Sequence, residues 1–289
     1  MVILENDFLR VVINPLGAEL SSLFNKTTGQ EYLWSGDAKF WGKRSPVLFP
    51  IIGTLKNDRY FIGEKSYELG RHGFAREKTF AVKEQTPSSV IFGLLNDAET
   101  QLVFPFEFNF SLLYTIYKNS LSVTYLVTNT GNDRMYFSVG GHPAFKLPLA
   151  AGLTYADYYL QFNTPETVGR WPVSAQGLIE LTPLPLLQNT SRLPLTKSLF
   201  YNDAIVFKDL MSDEVEVKSA RHPAGFRFSF KGFPFLGIWA AKDADFICIE
   251  PWCGIADSVN SRQVLTEKEG IISLPRGEDF KRVWTVTLF

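Results

Sequence analysis

The chain has 289 residues, of which 45% are hydrophobic and 15% aromatic, so it can bury a large core. Its 29 Lys and Arg residues against 30 Asp and Glu residues give a net charge of −1, which argues against nucleic acid as a partner. Residues 1–7 contain no basic segment ahead of an apolar one, and no charge-free stretch reaches the ~18 residues of a membrane span. We therefore predict a soluble cytoplasmic protein with no membrane partner.

Apolar and polar residues alternate with a period of two along much of the chain, which predicts half-buried strands rather than helices. Turn-forming residues at 26–29 and 222–225 each separate two such runs and predict hairpins. Three further runs, at 108–117, 121–129 and 135–139, follow one another across short polar turns. They predict a three-stranded antiparallel meander.

The strand pattern occurs in both halves of the chain. It predicts an all-β fold, most simply a large antiparallel β-sandwich. The Pro- and Leu-rich stretch at 182–195 is the best candidate for a domain boundary, but the apolar residues that fill it predict a loop packed on the sheets. We therefore predict a single domain over residues 1–289.

Two residues capable of acid/base chemistry, His142 and Glu250, each end an apolar run directly before a proline. Proline restricts the residue before it to extended backbone and cannot donate to a sheet ladder. We therefore expect each side chain to be held in a fixed direction where its strand leaves the sheet. A catalytic pair needs such fixed directions.

The segment around His142 is rich in small residues. In an extended conformation, Tyr136, Ser138, Gly140 and His142 share one face. Glycine allows a ligand to approach the backbone closely. We therefore expect room for a substrate in front of the imidazole.

The segment that carries Glu250 also carries both cysteines. Glu250 shares a strand face with Phe246 and Cys248, and we expect these apolar neighbours to raise its pKa and make it a general base. Cys248 and Cys253 are four residues apart, which fits neither a zinc knuckle nor a redox C-x-x-C motif. We expect them to be small buried apolar side chains beside the site.

Five short segments of the chain form a recognisable series. In order, they are Arg44, Arg71-His72-Gly73-Phe74-Ala75-Arg76, Gly141-His142-Pro143-Ala144-Phe145, Asn202-Asp203-Ala204 and Ile249-Glu250-Pro251-Trp252. The series resembles the aldose 1-epimerase (galactose mutarotase-like) superfamily over nearly the whole chain. It most resembles the branch of LacX-type proteins and their hexose-6-phosphate 1-epimerase relatives.

This resemblance implies a β-sandwich with an open sugar-binding cleft and neither a metal nor an organic cofactor. It implies that His142 is the general acid that protonates the ring oxygen, and that Glu250 is the base that removes the proton from the anomeric hydroxyl. Ring opening and closure on the other face then give the opposite anomer. The expected activity is that of an aldose 1-epimerase acting on a hexose or a hexose phosphate.

The other segments of the series are expected to bind the substrate. By the same resemblance, His72 would hydrogen-bond a sugar oxygen and Asp203 would accept hydrogen bonds from ring hydroxyls. Arg44 and Arg76 would hold the far end of the substrate.

Two further residues have expected roles near the sugar. Arg71 stands where this branch often has glutamine, and guanidinium groups bind phosphate bidentately. It therefore either favours a phosphorylated or acidic sugar or is a solvated residue at the rim. Trp252 is the tryptophan that we expect in the cleft, where it would help to exclude water from Glu250.

Two alternative functions stay open. A carbohydrate-binding or sugar-sensing module would bind sugar without accelerating anomer exchange. A glycoside hydrolase has less support, because Glu250 has no second acid in a comparable motif. The sequence does not identify the sugar, and it does not distinguish a monomer from a homodimer paired through edge strands.

Overall fold

The structure is a computed structural model that describes residues 1–289. The chain forms 23 strands, as the period of two predicts. In chain order they are β1 Val2–Glu5, β2 Leu9–Asn14, β3 Glu19–Asn25, β4 Gln30–Glu31, β5 Val47–Leu48, β6 Arg59–Ile62, β7 Lys65–Glu68, β8 Ala81–Gln85, β9 Ser89–Leu95, β10 Phe108–Tyr117, β11 Ser120–Asn129, β12 Met135–Phe137, β13 Val139–Gly141, β14 Ala144–Lys146, β15 Tyr158–Arg170, β16 Leu184–Pro194, β17 Ile205–Lys208, β18 Glu214–Ser219, β19 Phe226–Ser229, β20 Phe235–Trp239, β21 Phe246–Cys253, β22 Ile272–Leu274 and β23 Asp279–Leu288.

Helical structure is limited to short segments. The one α-helix, α1, spans Ala98–Val103 and is capped by Asp97, whose side chain accepts a hydrogen bond from the N–H of Thr100. Neither α1 nor any other helix has the length and apolar character needed to cross a membrane. Single turns of 3-10 helix occur at Lys56–Asp58, Ala75–Glu77, Tyr155–Asp157, Lys197–Phe200 and Leu265–Glu267.

The strands form two large antiparallel sheets and three small ones. The nine-stranded sheet has the order β16-β15-β18-β19-β23-β11-β10-β9-β8. The six-stranded sheet has the order β17-β20-β21-β13-β5, with β14 also paired to β21. Strands β1 to β4 form a sheet of their own, and β12 with β22 and β6 with β7 form two-stranded ribbons.

The two large sheets share a core of 65 buried residues. Phe145 of β14 packs on Phe226 of β19 with ring centroids 4.2 Å apart, and Phe162 of β15 lies edge-on to Phe207 of β17. Aromatic side chains bury large apolar areas, so such pairs hold one sheet against the other. The all-β sandwich predicted from the sequence is confirmed.

The local hairpins follow the prediction, but the meander is only partly correct. Residues 26–29 connect the paired strands β3 and β4, and residues 222–225 connect β18 and β19. Strands β10 and β11 also pair as predicted. However, the other neighbour of β11 is the C-terminal strand β23, and β12 pairs with β22 instead. The third strand of the meander was therefore predicted wrongly, because a partner about 150 residues away occupies that edge.

The stretch at 182–195 is a strand rather than a loop. Residues 184–194 form β16, which pairs with β15 through several register shifts and lies at the edge of the nine-stranded sheet. Pro185 and Pro194 are tolerated there because an edge strand leaves some of its N–H groups without a ladder partner. Because proline is uncommon inside strands, the sequence of this stretch does not predict a strand.

Candidate active site

A cavity of about 330 Å³ opens at the six-stranded sheet. Seven of the eight predicted site residues line it, and Arg44 is the exception. The lining residues are Trp41, Pro46, Gly53, Arg71, His72, Arg76, His142, Val173, Gly177, Ile179, Asp203, Ala204, Val206, Trp239, Glu250, Trp252 and Ala256. The sequence series therefore converges on one place, although its members are up to about 180 positions apart.

His142 lies in the short break between β13 and β14, and backbone hydrogen bonds hold this break in place. The N–H of His142 donates to the carbonyl of Pro46 at 3.1 Å, and the carbonyl of Pro143 accepts from the N–H of Ile249 at 3.2 Å. The strands that flank the break, β13 and β14, both pair with β21. The break therefore stays attached to the sheet and presents the imidazole to the cavity.

The two glycines before His142 do not make room for a substrate, contrary to the expectation from the sequence. Neither lines the cavity. A Cβ at Gly140 would lie 2.7 Å from the carbonyl oxygen of Pro251, and one at Gly141 would lie 2.5 Å from the hydroxyl oxygen of Tyr125. These glycines instead let β13 pack closely against β21 and against the core behind it.

Replacing Gly141 with alanine is therefore expected to destabilise the protein by about 1–3 kcal/mol, the usual range for overpacking. The added methyl group would collide with the buried hydroxyl of Tyr125. Chemical denaturation of the variant measures the loss. Gly70→Ala is the matched control, because a Cβ at Gly70 meets no atom within 4 Å. Equal stability of the two variants would contradict this explanation.

Glu250 lies inside β21 rather than at its end. It is paired with Gly237 of β20, and the strand continues through Pro251 to Cys253. The predicted end of the strand at Glu250 is therefore wrong. Pro251 is tolerated because β13 pairs with β21 from Trp252 onward and β14 only up to Cys248, so no ladder partner faces Pro251 on that side.

His142 and Glu250 form a buried pair in the cavity. Nε2 of His142 lies 3.2 Å from Oε2 of Glu250, and both residues are less than one-tenth exposed. Burial, with smaller contributions from the cations of Arg71 and Arg76, lowers the pKa of His142 to about 3. Burial raises the pKa of Glu250 well above its ordinary value; Arg71 opposes this shift and Asp203 adds to it. Both shifts favour the uncharged forms.

Aromatic rings enclose the imidazole. The ring of Trp41 stacks on that of His142 with centroids 4.8 Å apart, and Trp239 meets it edge-on at 5.6 Å. Trp252, the tryptophan predicted for the cleft, also lines the cavity. No local sequence pattern distinguishes Trp41 and Trp239 from core tryptophans, so the sequence does not predict their place at the site. The enclosure keeps water away from His142 and helps to cause the pKa shifts.

His72 is anchored by the fold on one side. Its Nδ1 accepts a hydrogen bond from the N–H of Gly53 at 3.1 Å, and its Nε2 lies 3.4 Å from Nε of Arg71. Its ring centroid is 5.7 Å from that of His142. Burial lowers the pKa of His72 well below its ordinary value, so a neutral imidazole faces the site.

Two arginines and an aspartate complete the polar part of the cavity. Nη2 of Arg76 donates to the carbonyl of Arg71 at 2.9 Å, while its buried Nε has no hydrogen-bond partner. Nη2 of Arg71 lies 4.0 Å from Oδ1 of Asp203, which also accepts from the N–H of Ala204 at 2.7 Å. These groups can donate to and accept from a polyhydroxylated ligand.

The backbone is strained at two of the cavity residues. His72 has φ of 68° and Asp203 has φ of 70°, in the left-handed region that non-glycine residues seldom adopt. Strain of this kind is concentrated at ligand sites, where the surrounding structure holds side chains in required directions. The surrounding structure therefore holds both side chains in fixed directions at the cavity.

Arg44 is not brought to the cavity. Its Nε donates to the carbonyl of Ser35 and its Nη1 to the carbonyl of Ser21, each at 2.8 Å. Its guanidinium group therefore ties two backbone segments together outside the site. Arg44 is therefore not placed to bind a ligand in this cavity, contrary to the expectation from the sequence.

Cys248 lies directly beside the catalytic candidates, as the sequence predicts. It is fully buried, as expected for a small apolar side chain. However, its sulfur, a ring nitrogen of His142 and a carboxylate oxygen of Glu250 all lie within 4.8 Å of one another. These three are the residues in the cavity region whose atoms could together hold a metal ion.

Comparisons with known proteins agree with this fold. The family model described as aldose 1-epimerase matches residues 1–281. The plasmid form of protein LacX from Lactococcus lactis subsp. lactis is 33% identical over 296 residues, which cover 99% of this chain and 98% of that protein. The structure of a galactose mutarotase related enzyme from Lactobacillus acidophilus is 34% identical with a TM-score of 0.95, over 100% of this chain and 97% of that one. A galactose mutarotase-like protein from Lactobacillus casei is 32% identical with a TM-score of 0.93, over the full length of both chains.

The sandwich is therefore that of a galactose mutarotase-like protein. The chain belongs to the aldose 1-epimerase family, and within it to the LacX-type branch. The resemblance drawn from the sequence series is confirmed.

Proposed function

We propose that the protein is an aldose 1-epimerase that interconverts the α and β anomers of a hexose or a hexose phosphate without a cofactor. The observation that carries this proposal is the buried pair of His142 and Glu250, with Nε2 and Oε2 3.2 Å apart in a cavity lined by hydrogen-bonding side chains. Membership of the aldose 1-epimerase family supports the same reaction type.

The proposed reaction needs two proton transfers in each direction. The imidazolium of His142 donates a proton to the ring oxygen while the carboxylate of Glu250 accepts the proton of the anomeric hydroxyl. The bond between C1 and the ring oxygen breaks, and an open-chain aldehyde forms. After rotation about the C1–C2 bond, Glu250 returns a proton to the aldehyde oxygen and His142 removes the proton from the attacking hydroxyl. The pair ends in its starting state.

The pKa shifts of the pair are compatible with this cycle. A protonated Glu250 beside a neutral His142 carries one shared proton, the same number as the carboxylate–imidazolium form. Conversion between the two forms moves one proton between Nε2 of His142 and Oε2 of Glu250, which lie 3.2 Å apart but are not aligned for a hydrogen bond, so the side chains must first reorient. We propose that sugar hydroxyls, by replacing the lost hydration of the charges, favour the charged form when substrate binds.

The other cavity residues are proposed to bind the sugar. His72 and Arg76 would donate hydrogen bonds to sugar oxygens, and Asp203 would accept them from ring hydroxyls. Trp252 would cover the site beside Glu250, where its ring lines the cavity. Arg71 lies at the opening with its side chain half exposed, at the place where a charged substituent of the sugar would meet solvent.

Arg71 provides a test of the substrate class. If it binds a phosphate group, Arg71→Gln is expected to raise KM for hexose 6-phosphates about tenfold, the loss of one charge-assisted contact, and to leave KM for neutral hexoses nearly unchanged. Steady-state kinetics with paired sugars measure this. Arg262→Gln, on an exposed residue outside the cavity, is the control. Equal changes for both sugars would make Arg71 a rim residue without a role in phosphate recognition.

The experiment that tests the proposed reaction is NMR magnetisation exchange between anomeric protons, with glucose, galactose and their 6-phosphates. We expect the protein to accelerate exchange of at least one sugar. Binding without acceleration would instead support the sugar-binding module. Asp203 places a second acid in the cavity with Glu250, so hydrolysis of an aryl glycoside is measured in parallel; cleavage would revive the glycoside hydrolase.

Two further proposals accompany this function. We propose that residues 1–289 act as a single domain, which is supported by one core cluster that runs from Val2 to Leu288. We also propose a cytoplasmic location, where the sugars of central metabolism would be available. A homodimer and a monomer are both compatible with the fold, and sedimentation velocity distinguishes them.

A further inference from the structure

Cys248, His142 and Glu250 form a buried cluster, called here the His-Cys-Glu cluster, whose thiol has no part in the proposed reaction. Cys248 and Glu250 are two positions apart on β21, so both side chains lie on the same face of the strand. Cys248 is also paired with Ala144 of β14, two residues after His142. Sheet pairing therefore holds one sulfur, one nitrogen and one oxygen ligand atom within 4.8 Å of one another.

These three donor types suit zinc. Zn²⁺ binds thiolate sulfur at about 2.3 Å, and imidazole nitrogen and carboxylate oxygen at about 2.0–2.2 Å, so ligand atoms of a tetrahedral site lie roughly 3.3–3.6 Å apart. The 3.2 Å between Nε2 of His142 and Oε2 of Glu250 is about 0.1 Å short of this spacing. The sulfur of Cys248 lies within 4.8 Å of the other two ligand atoms, so it needs to approach them by at most about 1.2 Å.

The cluster also contains polar atoms that the protein itself does not satisfy. Oε2 of Glu250 and Nδ1 of His142 are buried without a hydrogen-bond partner, and Glu250 is 2% exposed. Buried polar atoms nearly always have a partner, so an orphaned carboxylate oxygen beside a ring nitrogen and a thiol points to a ligand at this position. His142 and Glu250 both line the cavity, which gives a small ion a path to the cluster.

We propose that the His-Cys-Glu cluster is a binding site for Zn²⁺ at the floor of the cavity, and that Zn²⁺ bound there blocks anomer exchange. Coordination uses the lone pairs of His142 and Glu250 that would otherwise carry protons, so the proton of this pair and the thiol proton of Cys248 are both released to solvent. Three protein ligands leave the fourth position, on the cavity side, to water. The inhibition rests on the proposed function, whereas the metal binding does not.

The test is a titration of the reduced full-length protein with Co²⁺, which replaces Zn²⁺ and absorbs light, followed by displacement with Zn²⁺. The wild type is expected to show thiolate-to-cobalt charge transfer and the visible bands of a tetrahedral site. Cys248→Ser is expected to lose both and to bind Zn²⁺ at least about 100-fold more weakly, because even outer-shell changes cost about 10–100-fold. Cys253→Ser, which alters the other buried cysteine of β21, is expected to behave as wild type.

Different outcomes would refute the proposed Zn²⁺ site and the proposed anomer exchange. A wild type without the charge-transfer band, or a Cys248→Ser variant that retains it, excludes the cluster as a metal site. If Cys248→Ser does not fold, Glu250→Gln replaces it and must also weaken Zn²⁺ binding. Metal binding in a protein that never accelerates anomer exchange would refute the proposed function and leave the site standing. Exchange that Zn²⁺ does not inhibit at saturation would refute the blocking role.

Discussion

Glu250→Gln is expected to lower kcat for anomer exchange by about 10²–10⁴-fold, the usual contribution of a positioned acid or base. The amide matches the carboxyl group in size and keeps its place in β21 opposite Gly237. It cannot accept the proton of the anomeric hydroxyl. Because the proposed binding residues are unchanged, the dissociation constant for sugar is expected to stay close to that of the wild type. Magnetisation exchange measures the rate, and isothermal titration calorimetry measures binding.

Glu166→Gln is the matched control for this variant. Glu166 is as deeply buried as Glu250, but it accepts a hydrogen bond from the N–H of Ser212 at 2.7 Å and does not line the cavity. Its replacement is expected to affect stability and leave kcat unchanged. A Glu250→Gln variant that turns over at the wild-type rate would show that Glu250 is not the base.

His142→Asn is expected to lower kcat by a similar factor of about 10²–10⁴, because asparagine cannot deliver a proton to the ring oxygen. The two residues act on one substrate as a unit, so their effects should not add. The double variant with Glu250→Gln is expected to be only slightly slower than the slower single variant. Full additivity of the two losses would indicate that they act in separate steps.

The chain contains a natural control for His142. His222 also precedes Pro-Ala, but it lies in the hairpin between β18 and β19, where its Nδ1 accepts from the N–H of Ala224 at 3.0 Å. His222→Asn is expected to retain the wild-type rate. A comparable loss in both histidine variants would mean that the effect arises from folding rather than from proton transfer, and circular dichroism spectra of both would reveal it.

Local features of the sequence were sufficient to predict most of the strands. The alternation in β10 and β11 and the turn residues between β18 and β19 act over a few neighbouring positions, so sequence spacing predicts them directly. The position of β12 depends on which distant strand occupies the edge of β11. That choice is made by packing across the whole chain, and no local pattern encodes it.

The same distinction separates the site residues. His142 and Glu250 were selected because a proline restricts each backbone, a constraint that operates between adjacent residues. Trp41 contacts His142 from a loop about 100 positions away, and only the folded chain brings the two rings together. The prediction for Arg44 was wrong for the converse reason. Its residue type and its place in the series fit, but the carbonyls of Ser21 and Ser35 hold its guanidinium group outside the cavity.

The glycines before His142 show how a correct location can have a different physical basis. Their small size was expected to admit a substrate, and the structure uses it to admit Tyr125 and the backbone of Pro251. The histidine is therefore presented to the cavity by close packing behind it. The space of the cavity is instead bounded by residues outside β13, among them Asp203 and Gly177.

The most direct test of the account is the anomer exchange rate of one responsive sugar with three proteins: wild type, His142→Asn/Glu250→Gln and His222→Asn/Glu166→Gln. Each rate is measured by NMR magnetisation exchange at neutral pH and compared with that of the sugar alone. We expect the wild type and the second double variant to accelerate exchange equally, and the first double variant to fall by at least about 100-fold while it still binds the sugar. Equal acceleration by all three proteins would contradict the assignment of His142 and Glu250 as the catalytic pair.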